Sequence, residues 1–172
     1  LGTTAAGTTV ASGGTLDLRG VTVGAEALTL NGGTLLVSTG TSSLSGAVTL
    51  GASSTLNVTG TQLTLGGVIG GTNFGLTKNG AGLAVLTGAN TFTGDITVNA
   101  GILRVGGSGK LAAGTYVGAL TVASGATFDF VSSANQIFGT SVASGNVTND
   151  TTNTLRGAGA YAFGRSEEHT SE

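Results

Sequence analysis

Acidic residues beside basic ones are the side chains of this chain that could do chemistry on a sugar polymer. Enzymes that cleave polysaccharides need clustered carboxylates, together with a Lys or Arg, on one face of the fold. Asp17 lies two residues before Arg19, and Arg104 and Asp129 occupy equivalent positions of successive sequence repeats. We interpret both arrangements as surface ion pairs, which stabilise a protein little. The acidic residues before position 165 are otherwise scattered: Asp17, Glu26, Asp95, Asp129 and Asp150.

Other site chemistries lack the residues that they need. A Ser-His-Asp triad requires a histidine, and the single one, His169, lies in an atypical tail. Calcium-binding nonapeptide repeats require Gly-Gly-x-Gly-x-Asp, which neither Gly13–Gly14 nor Gly32–Gly33 begins. Gly66–Gly67 and Gly106–Gly109 are not followed by the Gly-Lys-Ser/Thr of a phosphate loop. With 6 Lys and Arg there is no basic stripe for a nucleic acid. The sequence predicts no catalytic, cofactor-binding or metal-ligating residue and no cofactor.

A phrase of ten or eleven residues recurs six times along the chain. Each copy reads as an apolar-Thr-apolar strand, a corner of small residues, and a second strand with an apolar residue at every other position. Such repeats are typical of β-solenoids, in which each repeat forms one coil. We therefore predict an all-β fold, a single-stranded parallel β-helix with coils of about 20–24 residues. The copies start at Thr8, Leu28, Val48, Leu76, Ile96 and Leu120, and the steps from Val48 and from Ile96 are longer than the other three.

The alternation in the second strand predicts which residues face the core, because successive side chains of a strand point to opposite faces. The pairs predicted to point inward are Leu16/Leu18, Leu35/Val37, Leu56/Val58, Leu83/Val85, Leu103/Val105 and Phe128/Phe130. The residues between them, predicted to face solvent, are Asp17, Leu36, Asn57, Ala84, Arg104 and Asp129. A uniform inner column beside a varied outer one is what stacked coils around a narrow apolar core should produce.

Threonine forms two further columns that are predicted to face outward, where a β-branched residue suits the pleated surface. The first-strand column is Thr9, Thr29, Thr49, Thr77, Thr97 and Thr121. The second-strand column is Thr15, Thr34, Thr55 and Thr127. An ice-binding solenoid would need a second threonine row beside this one, but the residues two positions on are Asp17, Leu36, Asn57 and Asp129.

The composition favours a long, thin core over the alternatives. Charged residues make up 8% of the chain, compared with about 25% in ordinary soluble domains. Strictly spaced aliphatic residues argue against disorder, and no apolar run approaches the roughly 20 residues of a spanning helix. The absence of Pro suits internal strands whose N–H groups all enter ladders. The absence of Cys rules out disulfides and thiolate metal sites, which suits a secreted bacterial protein that crosses envelopes unfolded.

The repeats divide the chain into three parts. We predict a β-solenoid over residues 1–148 and a degenerate coil or loop over 149–164. Residues 165–172 (RSEEHTSE) are rich in charged residues, unlike the rest of the chain, and resemble a translated sequencing adapter. We therefore expect a non-native tail. Because the first copy of the repeat starts at Thr8, close to the first residue, we expect the N-terminus to be truncated. The longer steps are predicted to hold a corner insertion, Gly66–Gly75, and a flexible corner loop, Gly106–Gly114.

The middle of the chain resembles a known family. The segment Gly75–Gly107 reads GLTKNGAGLAVLTGANTFTGDITVNAGILRVGG. In order, Gly75–Gly82, Leu86–Gly94 and Val98–Val105 follow the pattern of the passenger-associated transport repeat of bacterial autotransporters. One departure is Leu83-Ala84, where the family more often has Thr-Leu. The resemblance implies a right-handed parallel β-helix that a C-terminal β-barrel secretes through the outer membrane, with the repeat assisting transport.

Three classes of function remain, and the first ranks ahead. The chain is predicted to be a non-enzymatic stalk or adhesin-like segment of an autotransporter passenger. Its expected place is the bacterial cell surface, anchored in the outer membrane through a C-terminal domain that this sequence lacks. Its expected partners are that β-barrel of its own parent chain and a host or neighbouring cell surface, with no nucleic acid and no small-molecule cofactor. The alternatives are a carbohydrate-active β-helix enzyme whose site lies outside this segment and, last, an ice-binding solenoid.

Overall fold

The computed structural model describes residues 6–138, 146–149 and 155–156. The regular secondary structure of this part of the chain consists of one short 3-10 turn, Ala112–Gly114, and β-strands. The strands are β1 (Thr8–Val10), β2 (Thr15–Arg19), β3 (Thr22–Val23), β4 (Leu28–Asn31), β5 (Thr34–Thr39), β6 (Thr41–Leu44), β7 (Val48–Ala52), β8 (Ser54–Val58), β9 (Gln62–Leu65), β10 (Ile69–Gly70), β11 (Leu76–Asn79), β12 (Leu83–Leu86), β13 (Ile96–Val98), β14 (Ile102–Val105), β15 (Thr115–Tyr116), β16 (Leu120–Val122), β17 (Thr127–Phe130), β18 (Gln136–Phe138), β19 (Asn146–Asn149) and β20 (Leu155–Arg156).

The strands pair in parallel into four sheets that wind as a solenoid. Sheet A has the order β1-β4-β7-β10, and sheet B has the order β16-β13-β11-β8-β5-β2. Sheet C has the order β19-β17-β14-β12-β9-β6-β3, and sheet D has the order β15-β18-β20. In the first four coils each strand of sheet A is followed by one of sheet B and one of sheet C. The prediction of an all-β fold built as a parallel β-solenoid is confirmed.

Successive coils stack in the register that the repeat predicts. Leu76 pairs with Ile96, and Ile96 pairs in turn with Leu120, so the first residues of three successive copies lie one above the other. Among the described residues, the fifth coil has no strand in sheet A; an isolated bridge between Ala89 and Lys110 takes its place. We number the coils by their residues as coil 1 (8–23), coil 2 (28–44), coil 3 (48–65), coil 4 (69–86), coil 5 (89–105) and coil 6 (110–130).

The longest step, between the third and fourth copies of the phrase, does not hold an insertion. Within Gly66–Gly75, β10 pairs with Val48 and Thr49 and is the sheet A strand of coil 4. The first three copies therefore fold across the corner between sheets A and B, whereas the last three fold across the corner between sheets B and C. The predicted bulge is wrong because one phrase fits both corners, so equivalent copies in the sequence lie on different faces.

The core is a continuous apolar column inside the coils. Leu16 packs against it while partly exposed, and Leu18 is buried. Of the other predicted inward pairs, those confirmed as buried are Leu35/Val37, Leu56/Val58, Leu103/Val105 and Phe128/Phe130. Because the phrase changes corner, the first two of these pairs belong to sheet B and the last two to sheet C.

The prediction for Leu83/Val85 is wrong by one residue. Ala84 and Leu86 are buried there, with Ala84 paired to Leu103 of the next coil, while Leu83 and Val85 are only partly buried. Ala84, predicted to face solvent, is thus a core residue. Every position of β12 is apolar, so alternation cannot define its inward face, and the neighbouring strands set the register.

The threonine columns also divide between faces. Thr9, Thr29 and Thr49 stack in sheet A. In sheet B a single ladder joins members of both predicted columns: Thr15, Thr34, Thr55, Thr77, Thr97 and Thr121. Thr127 lies in sheet C. The described residues that follow this ladder outward include Asp17, Asn57 and Asn79, so a second threonine row does not accompany it there.

Glycine is required where the chain turns from sheet C to sheet A. A Cβ on Gly67 would lie 2.1 Å from the carbonyl oxygen of Gly46 in the preceding coil. A Cβ on Gly88 would in turn lie 2.2 Å from the carbonyl oxygen of Gly67. Side chains would hold the coils apart at this corner, so the glycines let the backbones stack at strand distance.

Candidate functional site in the fourth and fifth coils

The segment that resembles the transport repeat folds as parts of two stacked coils. It supplies β11 and β12 to coil 4 and β13 and β14 to coil 5, so each coil contributes one strand to sheet B and one to sheet C. Backbone bonds join the two levels: the N–H of Leu76 donates to the Asp95 oxygen and that of Asn99 to the Lys78 oxygen, both at 2.9 Å. The unit that could carry a function is therefore a pair of stacked corners.

Lys78 is a buried cation in an apolar column. Its side chain is fully buried, and its register partners are Leu56 in coil 3 and Val98 in coil 5. Burial lowers the pKa of the Lys78 ammonium to about 8, because the charged form loses its hydration. The inward residues of sheet B at this position are Leu16, Leu35, Leu56, Lys78, Val98 and Val122.

The Lys78 ammonium binds backbone oxygens instead of a carboxylate. Its Nζ donates to the carbonyl oxygens of Asn79 at 2.9 Å, Gly80 at 2.8 Å and Ala100 at 3.1 Å. The first two belong to the corner of coil 4, and the third belongs to the corner of coil 5. Within the described residues, no ion pair includes Lys78. Three acceptors satisfy the three donors of an ammonium group, and one of them comes from the next coil.

Asn90 is a second buried polar side chain in this segment. Its Oδ1 accepts the N–H of Ile69 at 3.0 Å, and its Nδ2 donates to the Lys110 oxygen at 2.9 Å. The backbone oxygen of Asn90 also accepts the N–H of Ala113 at 2.9 Å. Because an isolated bridge replaces the sheet A strand of coil 5, the Asn90 amide makes bonds that a strand backbone makes in the other coils. It thereby connects coils 4, 5 and 6.

Sequence reasoning overlooked both residues, although a signal for Lys78 was present. The third residue of the phrase is apolar in every copy except LTK, where Lys78 holds this inward position. A single basic residue at a strictly apolar position indicates a buried charge. Asn90 lies between copies of the phrase, in the stretch Gly88-Ala-Asn90, so periodicity carries no information about it.

On the outer side of the same corner, a pair of asparagine side chains also joins coils 4 and 5. The Nδ2 of Asn99 donates to the Oδ1 of Asn79 at 2.9 Å, and Asn79 is the register partner of Asn57 in coil 3. Stacked amides of this kind bond along the direction of coil stacking. The corner of coils 4 and 5 is therefore bonded on its inner side by Lys78 and on its outer side by asparagines.

The two predicted ion pairs form. The Nε atoms of Arg19 and Arg104 each lie 2.7 Å from a carboxylate oxygen, of Asp17 and of Asp129 respectively. The hydrogen bonds from Arg19 and from Ser38 hold the pKa of the Asp17 carboxyl below its usual range. The second pair is not a surface pair as predicted, because the Asp129 side chain is only 12% exposed. It bonds coil 5 to coil 6 across sheet C.

The remaining carboxylates are held separately. Glu26 is buried and accepts the Thr8 hydroxyl at 2.9 Å, and Asp95 accepts the N–H of Ala119 at 2.8 Å. In the described part of the chain, no three His, Cys, Asp or Glu residues are grouped so that they could hold a metal ion. Asp150 and His169 lie outside the described residues.

The structure and the comparisons agree on the class of protein. Residues 76–105 match the family described as the passenger-associated transport repeat. This match and the parallel β-solenoid around it fit a fragment of an autotransporter passenger. Comparisons with curated proteins and with solved structures give no match. Among the described residues, no helix has the length and apolar character needed to cross a bilayer.

Proposed function

We propose that this chain is a non-enzymatic stalk segment of an autotransporter passenger and that residues 76–105 assist its export across the outer membrane. The match of these residues to the passenger-associated transport repeat carries the proposal. The proposed location is the bacterial cell surface, with the parent protein anchored in the outer membrane by a C-terminal β-barrel. An adhesive surface toward a host or a neighbouring cell is part of the same proposal.

The structure supports a role in export through the way the coils stack. Each coil ends in unpaired strand edges until the next coil pairs with it in parallel register. Solenoids of this kind are stabilised by contacts between neighbouring repeats, so folding can begin at one place and spread to the next coil. Coils that fold outside a pore prevent the chain from sliding back, so folding of a strongly bonded pair of coils would favour outward movement.

The test is a deletion that keeps the coils in phase. Removing residues 76–105 would join Gly75, which follows a sheet A strand, to Gly106, which follows a sheet C strand. The strands of sheets B and C would be missing from that coil, and every later strand would be out of place. Removing residues 76–95 instead joins Gly75 to Ile96, the register partner of Leu76, and shortens the solenoid by one whole coil. The matched control removes residues 28–47 and joins Ala27 to Val48, the register partner of Leu28, which also removes one whole coil of the same length.

Both deletions are made in the full-length parent and compared in intact cells. Surface protease accessibility measures displayed passenger, and an immunoblot measures the membrane anchor. We expect the 76–95 deletion to lower display several-fold at unchanged anchor level, while the 28–47 deletion leaves display near that of the parent. Equal display from the two deletions would refute a transport role for the matched segment and leave it as ordinary stalk.

A further inference from the structure

We propose that Lys78 is a clamp that makes coils 4 and 5 fold as one unit and links this folding to proton release. The clamp is a conformational device of this chain and does not depend on the proposed role in export. It follows from one juxtaposition: the ammonium group lies inside an apolar column, and its oxygen partners come from two successive coils.

The geometry makes coil 4 incomplete on its own. The corner of coil 4 supplies the oxygens of Asn79 and Gly80, which leaves one donor of the ammonium group without a partner. The oxygen of Ala100 supplies the third acceptor only when coil 5 is stacked in register. A buried charged donor without an acceptor costs more than a neutral one. Coil 5 is therefore held to coil 4 in the register that brings the Ala100 oxygen to this buried donor.

Proton release follows from the surroundings of the side chain. Leu56 and Val98 flank Lys78 in sheet B, and neither carries a charge. The other described charged residues on the strands of sheets B and C are paired with each other: Asp17 with Arg19, and Arg104 with Asp129. Glu26, Asp95 and Lys110 make none of the hydrogen bonds of Lys78. Burial without a counter-charge favours the neutral amine, so folding releases a proton from this side chain at pH values between about 8 and 10.5. At pH 7 the ammonium group and its three hydrogen bonds are retained.

The direction of the pH dependence is fixed by the two states. In the unfolded chain Lys78 has the ordinary lysine pKa of 10.5, whereas in the folded chain burial lowers this pKa to about 8. The unfolded state thus binds more protons between these values, and stability rises with pH in that window. The unfolding constant should fall up to about 30-fold between pH 7 and pH 9.5. Bonds from the ammonium to the three oxygens favour the charged form and make the observed fall smaller.

The experiment compares three versions of the full chain by urea denaturation from pH 7 to pH 9.5. These are the wild type, Lys78→Met, and the control Lys110→Met, whose lysine is partly exposed. We expect wild type and Lys110→Met to become more stable as the pH rises and Lys78→Met to show no such gain. Parallel pH profiles for all three would overturn the proposal. If Lys78→Met does not fold, a wild-type profile that is flat over this range overturns it, and a rising profile shared with Lys110→Met supports it.

A second measurement separates the clamp from a general loss of stability. Hydrogen exchange at pH 7 is read at the amides of Asn99 and Ile102, which bond coil 5 to coil 4, and at Ser43, which bonds coil 2 to coil 1. Lys78→Met should speed exchange at Asn99 and Ile102 at least 10-fold more than at Ser43. A uniform change at all three amides would show that Lys78 does not couple these coils.

Discussion

Replacing a glycine by alanine at the corner between sheets C and A should destabilise the protein where the coils are in contact and not where the corner is open. In Gly88→Ala the new Cβ would lie 2.2 Å from the carbonyl oxygen of Gly67, well inside the ordinary contact range of 3.4–4 Å. In Gly24→Ala, at the same corner of coil 1, the new Cβ meets no atom within 4 Å. Neither glycine has a positive φ, so backbone strain does not confuse the comparison.

The expected magnitudes follow from the contacts at each site. Forcing extra atoms into a packed site costs about 1–3 kcal/mol. Moving Gly88 also disturbs the bonds that its oxygen accepts from the N–H groups of Asn90 and Lys110, worth about 1 kcal/mol each. Replacing Gly by Ala returns about 0.5 kcal/mol by restricting the unfolded chain. Gly88→Ala should therefore lose about 3 kcal/mol of unfolding free energy, and Gly24→Ala should gain about 0.5 kcal/mol.

Urea denaturation followed by circular dichroism measures both values. The slope of the free energy against urea should be the same in both variants if they unfold from the same folded state. In thermal melts, Gly88→Ala should unfold roughly 5–10 °C below the wild type. Unfolding free energies for Gly88→Ala and Gly24→Ala within about 0.5 kcal/mol of each other would refute the assignment of this corner as a stack of backbones in direct contact.

Three further predictions concern single side chains. Leu103→Asp buries a carboxylate between Ala84 and Phe128 and should cost at least about 4 kcal/mol in urea denaturation. Arg104→Asp places a second carboxylate opposite the buried Asp129, so it should also lower the unfolding free energy, although the outward position of Arg104 alone would predict no effect. Ala113 has a φ of 55°, which strains alanine but not glycine, so Ala113→Gly should raise the unfolding free energy by about 1 kcal/mol. An unchanged urea midpoint would contradict backbone strain at this residue. Burial raises the pKa of the Tyr116 hydroxyl, so the folded chain keeps a proton that the unfolded chain releases above about pH 10; stability should fall with pH there in wild type but not in Tyr116→Phe.

The sequence predicted the two strands of each copy of the phrase, the small-residue corner between them and the number of residues per coil, because these depend on local patterns. The strands between copies, such as β10, were not predicted. Thr-flanked apolar positions alternate with period two, and small residues mark each corner, so the coil spacing around Leu76 and Ile96 could be read directly. The assignment of each strand to a face could not be read in the same way. The phrase that crosses from sheet A to sheet B in coil 3 is the same phrase that crosses from sheet B to sheet C in coil 4. The pairings of Ile69 with Val48 and of Leu76 with Ser54 show the change.

The features of the candidate site were harder to predict because they depend on neighbouring coils. The strand Leu83–Leu86 is apolar throughout, and its inward side is decided by Leu63 and Leu103 on either side of it. The burial of Asp129 depends on the packing around sheet C and not on its outward position in the strand. For Lys78 the type and position of the residue were visible, but the third acceptor, Ala100, belongs to the corner of the next coil.

Departures from the repeat rule coincide with the segment that matches a transport repeat. Lys78 replaces an aliphatic residue in the inner column of sheet B, and Asn90 replaces a strand in sheet A. Both lie within residues 76–105, and both bond their coil to the next one. In a simple stalk, Leu or Val at position 78 would continue the apolar column of Leu56 and Val98, without the bond to coil 5 that Lys78 makes. Sequences break local rules mainly where a function compensates for the cost, so these two residues are where a special role of this segment should first be sought.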